Sequence, residues 1–116
     1  MYVDVDEMRV RAALDSAVQN STARYFRQTE RARQDFQRAD EATWAKYYPW
    51  YRGATTYEGR VDIMSAYKRE VMPYAAAYKR AVEQAEIGRK TDKTQIEFAL
   101  QVPEIEEKIR LLRRIL

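Results

Sequence analysis

The residues best suited to chemistry in this chain are its arginines. Arg24, Arg31 and Arg38 recur every seven residues, and Arg27 follows Arg24 by three. On a helix turning 100° per residue, with Tyr25 as zero, Arg24, Arg31 and Arg38 project near roughly −100° to −140° and Arg27 near roughly −160°. Arg9 also projects near about −160° if the helix is continuous, whereas the apolar positions centre near about 0°. Five guanidiniums thus share one flank. Residues 24 to 38 hold five arginines, Arg33 being the fifth, against Glu30 and Asp35; that local excess of +3 equals the net charge of the whole chain. Arginine, unlike lysine, suits bidentate contact with phosphate or carboxylate and stacking on flat groups. One use of such a stripe is to track a nucleic-acid backbone, with Asn20, Gln28 and Gln34 as auxiliary donors. Another is a solvated helix face whose arginines pair with acids one turn away, as in Glu30–Arg33 and Arg31–Asp35. Docking on an acidic protein is a third. Nothing in the spacing suggests a helix-turn-helix or a finger, so backbone contact is expected instead of base reading.

Other chemistry is scarce. The chain has no histidine and no cysteine, which removes the commonest general base, thiolate metal sites and disulfides. Its serines, Ser16, Ser21 and Ser65, can have no histidine partner. The carboxylate clusters Asp4/Asp6/Glu7 and Glu104/Glu106/Glu107 would suit a magnesium ion or an acid–base pair, but both stand where a helix begins, and the helix dipole accounts for them. Gly-rich phosphate loops and other cofactor signatures are missing. The chain is therefore expected to be neither an enzyme nor the holder of a cofactor or metal.

The second signal is aromatic. Trp44, Tyr47, Tyr48, Trp50, Tyr51 and Tyr57 crowd one stretch. Tyrosine and tryptophan favour protein interfaces and also serve as stacking platforms. Most of these rings are expected to cap a helical core, leaving Trp50, Tyr51 and Tyr57 as candidate partner contacts.

The elements that must position these residues read as helices. The 116 residues suit one domain, and with 3 Gly and 3 Pro the chain is too poor in turns for a sandwich or barrel. Charged residues make up 34%, against about 25% in an average globular protein, so a small core should carry an ionic surface. Residues 1–46 are expected to form a long arginine-striped helix, its apolar face marked by Val10, Leu14, Val18, Tyr25, Ala32, Phe36 and Ala39. Such a helix would either break near Asn20-Ser21-Thr22 or project as an arm. Residues 47–59, punctuated by Pro49, Gly53 and Gly59, are expected to be an aromatic loop. A helix over 60–88 follows, opened at Thr55 or Thr56 with a Thr55–Glu58 capping box, kinked or divided at Pro73 and stopped at Gly88. Residues 89–116 are read as a connector and a C-terminal helix. Within them Thr94–Val102 alternates like a strand but also carries a capping box at Thr94 and Glu97. Helix is favoured there, with an arm pairing between subunits as the alternative. Pro103 suits a first helical position, with Glu104, Glu106 and Glu107 early and Arg110, Arg113 and Arg114 late. Ile105, Ile109, Leu112 and Leu116 form its apolar face, and Leu112 and Leu116 are candidate subunit contacts.

No segment has the roughly 18 apolar residues of a membrane span, and MYVDVDE is acidic where a secretory signal would be basic. In composition and architecture the chain resembles the helical coat proteins of filamentous and rod-shaped archaeal viruses. That resemblance implies an all-α fold, assembly in many copies and DNA held against basic helix faces, in a virion or inside the cell. The reading is an all-α protein of three or four helices, a structural subunit of an oligomer that coats nucleic acid, duplex DNA foremost, through Arg9, Arg24, Arg27, Arg31 and Arg38. The competing reading is a small helical adaptor or inhibitor that binds one protein through Trp50, Tyr51 and Tyr57.

Overall fold

The computed structural model describes residues 4–116, and every regular element among them is helical: α1 (Val5–Gly53), α2 (Tyr57–Gln101) and α3 (Ile105–Arg113). The protein is all-α. The long first helix is present; residues 1–3 of the segment expected to form it lie outside the described residues. Asp4 starts α1: its carboxylate accepts from the backbone N–H of Asp6 at 3.0 Å and of Glu7 at 3.3 Å, satisfying donors that a helix start leaves open. The anticipated break near residues 20–22 does not occur. Ser21 is buried and the Asn20 amide donates to the Ile115 carbonyl at 3.1 Å, so tertiary packing holds the helix through residues that would otherwise weaken it.

The helices divide into two compact units, one comprising residues 4–28 and 84–116, the other residues 29–83. In the first, the beginning of α1, the end of α2 and α3 share a core of Ala13, Ala17, Ala99, Ile109, Leu112 and Ile115. The long helices contribute alanines, and α3 with the Ile115 that follows it contributes the large side chains; each Ile or Leu so buried is worth about 1.5–3 kcal/mol. On α2 the buried positions Ala85, Asp92 and Ala99 are seven apart, the repeat of a helix seam. The alternation of Ile96, Phe98 and Leu100 does not make a strand. Residues 94–101 belong to α2, where Ala99 is the buried residue and Phe98 is exposed. The hydroxyls of Thr91 and Thr94, which could have competed with the helix, donate back to the Ile87 and Lys90 carbonyls at 2.9 and 3.1 Å. α3 begins at Ile105 with Glu104 before it, so Pro103 lies just outside the helix and not at its first position.

The second unit is a helical hairpin. The expected aromatic loop 47–59 is replaced by helix on both sides of a three-residue connection, residues 54–56. Pro49 and Gly53 lie inside the end of α1. The reason is packing: Trp44 meets Tyr48, Tyr51 and Tyr67 at ring-centroid distances of 5.9, 5.6 and 5.1 Å, and Tyr47 meets Trp50 at 5.6 Å. A ladder of rings spaced three and four apart needs helical geometry, and it outweighs the lost hydrogen bond of one proline. Thr56, not Thr55, opens α2, its hydroxyl accepting from the Gly59 N–H at 3.0 Å. A Cβ on Gly59 would stand 2.9 Å from that hydroxyl, which explains a glycine in the first turn. α2 then continues through Pro73 and Gly88, where a stop had been expected at Gly88.

Candidate nucleic-acid interface

The structure separates the arginines of the stripe into two groups. Arg24 and Arg9, both in the first unit, are engaged within the chain. The Arg24 guanidinium forms an ion pair with Asp92, whose residue is only 6% exposed, and donates to the Leu116 carbonyl at 2.8 Å. Arg9 donates to Glu106 at 2.7 Å and to Asp6 at 3.4 Å. Its hydrogen bond and charge hold the Glu106 carboxyl below the usual carboxylate range. These two side chains therefore link α1 to α2 and α3, Arg24 half-buried against Asp92 and Arg9 still exposed beside Glu106.

The reason lies in the third helix. A projection with one apolar centre treats the flank near −100° as solvent, but Ala13 and Ala17 lie at roughly −120° and −80° on the same wheel. Both are buried in the core that α3 completes. A seven-residue repeat drifts by about 20° per repeat on a straight helix, so the buried face at the start of α1 is not the face buried in the hairpin. There Ala32, Phe36 and Thr43, near roughly 0°, face α2 instead.

Arg27, Arg31 and Arg38 are different. All are exposed, and none has an ion pair among the described residues. Arg31 and Arg38 stand two turns apart in the second unit, and Arg27 lies on α1 in the first. Arg33, between them in sequence, is not available in the same way: it grips Glu30 at 2.6 Å and Gln37 at 3.1 Å, and its hydrogen bond lowers the Glu30 pKa. The Glu30–Arg33 pair thus forms as its spacing suggests, and an Arg31–Asp35 pair does not. Of the auxiliary donors, Asn20 serves the Ile115 carbonyl and Gln34 serves Glu30.

The aromatic candidates divide as well. Trp50 is 58% and Tyr57 79% exposed, while Tyr51 is half-buried between the Trp44 ring and the Arg60 guanidinium, the latter 5.8 Å from its centroid. Leu116 is exposed. Leu112 corrects the sequence reading: it is fully buried at the centre of its own unit and has no surface for a neighbour. No family model matches this chain, and neither does any curated protein or solved structure.

Three features escaped the sequence reading. Asp92 occupies a buried seam, signalled by its position midway between Ala85 and Ala99 at sevens. Asp40 and Tyr67 form a hydrogen-bonded pair inside the hairpin; that bond, together with burial, pushes the Tyr67 phenol up to about 12. Lys46 pairs with Glu70 at 2.9 Å and lowers the pKa of that carboxyl. Among the described residues no group of His, Cys, Asp or Glu could hold a metal ion, and no helix is long and apolar enough to cross a membrane.

Proposed function

We propose that this protein is a structural subunit of an oligomeric assembly that holds nucleic acid, duplex DNA foremost, against the exposed arginines of α1. The observation that carries the reading is the contrast along one helix. Arg9, Arg24 and Arg33 each pair with a carboxylate of the same chain, whereas Arg31 and Arg38 in the hairpin unit, and Arg27 in the other, stand exposed with no ion pair among the described residues. Unpaired arginines of this kind gain most from a polyanion, because phosphate contact releases counterions. The resemblance to viral coat proteins in composition and architecture points the same way and gives the setting, a virion or the cell interior. No covalent chemistry is part of the proposal.

The test is salt-dependent binding to a short duplex. Each phosphate contact contributes a slope of about −0.9 in log K against log salt, so Arg31→Glu/Arg38→Glu should flatten the wild-type slope by about 1.8. Arg24 is excluded from the set because its loss would damage the fold. Absence of salt-dependent binding by the wild type at micromolar concentration refutes the proposal. A second reading, an adaptor for one protein partner, is favoured by the exposure of Trp50 and Tyr57 at the hairpin tip. It predicts a protein that sediments as a monomer or dimer and ignores DNA.

A further inference from the structure

The tip of the hairpin carries a groove of about 390 Å³ lined by Tyr51 of α1 and by Tyr57, Arg60, Val61, Met64 and Lys68 of α2, among others. Helical spacing sets this strip on α2: with Tyr57 at zero, Val61, Met64 and Lys68 fall within about 40° of it and Arg60 near roughly −60°. Tyr57 is 79% exposed, the most open large apolar side chain among the described residues. Arg60 lies over the Tyr51 ring, 5.8 Å from its centroid, a contact that uses none of its N–H donors.

The charge of the groove has one sign. No carboxylate lines it, and neither Arg60 nor Lys68 has an ion pair among the described residues. Between residues 42 and 69 the acids are Glu58 and Asp62. Both project away from the strip, at roughly 100° and 140° from Tyr57 on the side opposite Arg60. An open flat ring thus stands beside two cations whose charge is unmet.

We infer that this groove holds an unpaired stretch of nucleic acid, with a base stacked on Tyr57 and the flanking phosphates on Arg60 and Lys68. A nucleotide carries a flat face and an anion in one covalent unit, which matches the lining. Arg60 and Lys68 stand about 12 Å apart along the α2 axis, a separation that suits successive phosphates of one strand better than a single anion. An acidic peptide would satisfy the cations but give Tyr57 no base to stack. A duplex keeps its bases within its own stack, so this site and the exposed arginines of α1 take different forms of the same polymer. The inference deepens the function proposed above and rests on it only in that the partner is nucleic acid.

Binding of a labelled oligothymidylate, followed by fluorescence anisotropy, tests it. Wild type should bind, and Arg60→Gln/Lys68→Gln should flatten its salt slope by about 1.4, at about 0.7 for each single-strand phosphate contact. Tyr57→Ala should weaken binding about fivefold or more, whereas Tyr57→Phe, which keeps the ring, should not. The Tyr57→Ala loss should vanish on an abasic strand of the same length, which offers phosphates without bases. All three positions are exposed, and unchanged helical circular dichroism confirms that the variants fold. No binding by wild type, undiminished binding by Tyr57→Ala, or equal competition by polyglutamate overturns the site, the last marking it as a surface for acidic protein. Duplex binding, which depends on Arg31 and Arg38, should be retained by all these variants. A protein that binds duplex but not the oligothymidylate loses this site alone, and one that binds the strand but not duplex loses the α1 reading alone.

Discussion

Removing Arg24 should cost more stability than removing its partner Asp92, although both changes break the same ion pair. Arg24→Ala leaves a carboxylate in a residue 6% exposed with no other side-chain partner. Deleting one member of a buried pair typically costs about 3–5 kcal/mol, and since the Arg24 side chain is 30% exposed, water can reach the vacated site, so the lower end, about 3 kcal/mol, is expected. Asp92→Ala instead leaves a guanidinium that keeps its 2.8 Å bond to the Leu116 carbonyl and some water. Its cost should be that of a lost charged hydrogen bond, about 1.5–2.5 kcal/mol. Replacing both by apolar residues of similar bulk, Arg24→Met/Asp92→Leu, removes the desolvation penalty with the attraction and should return stability to within about 1 kcal/mol of wild type. Urea unfolding followed by circular dichroism reads the series. A 3 kcal/mol loss lowers the midpoint by about 1–3 M at slopes of about 1–3 kcal/mol per molar. Equal effects of the two single changes, or a double variant as weak as Arg24→Ala, would refute the account of Arg24 as a fastening of the fold. The same double variant should bind duplex DNA like wild type, whereas Arg31→Glu/Arg38→Glu should not.

Two further outcomes follow from local geometry. Gly88 lies inside α2 without a positive φ, and a Cβ added there would meet nothing within 4 Å. Gly88→Ala should therefore raise stability by about 0.5–1 kcal/mol, seen as a higher melting temperature. Alkaline titration at 295 nm should show one phenol ionising near pH 12, absent in Tyr67→Phe, since Asp40 and burial hold the Tyr67 proton. Because the folded pKa is raised, the unfolded chain loses that proton first; the contribution is whole below about pH 10 and declines as pH rises toward 12.

Much of the fold was legible because helix formation is a local property. The apolar spacing from Val10 to Ala39 and the acidic start at Asp4 and Asp6 are enough to write α1, and the dipole-matched charges of residues 104–114 are enough to write α3. Helix ends were not legible. Pro49, Gly53 and Gly88 look like stops, and only the rings packed around Trp44, or the seam through Ala85 and Asp92, make the helices run past them. The arginine flank was half legible for a similar reason. Its residues share a side of α1 as the spacing requires, but whether that side meets water depends on α3, which sits on Ala13 and Ala17 from about a hundred residues away along the chain. Nothing near Arg24 in sequence announces Asp92.

The two units differ in how far apart along the polypeptide their members are. The hairpin closes over a three-residue link, so its halves can meet as soon as both have been made. The alanine-lined unit joins residues as distant as Arg9 and Glu106, and its bulky apolar plugs arrive with α3. During synthesis the opening turns of α1 therefore lack the core that they share with α3 until α3 has been made. Closing so long a loop is slow compared with zipping a hairpin. This wiring favours formation of the hairpin before the unit that α3 completes.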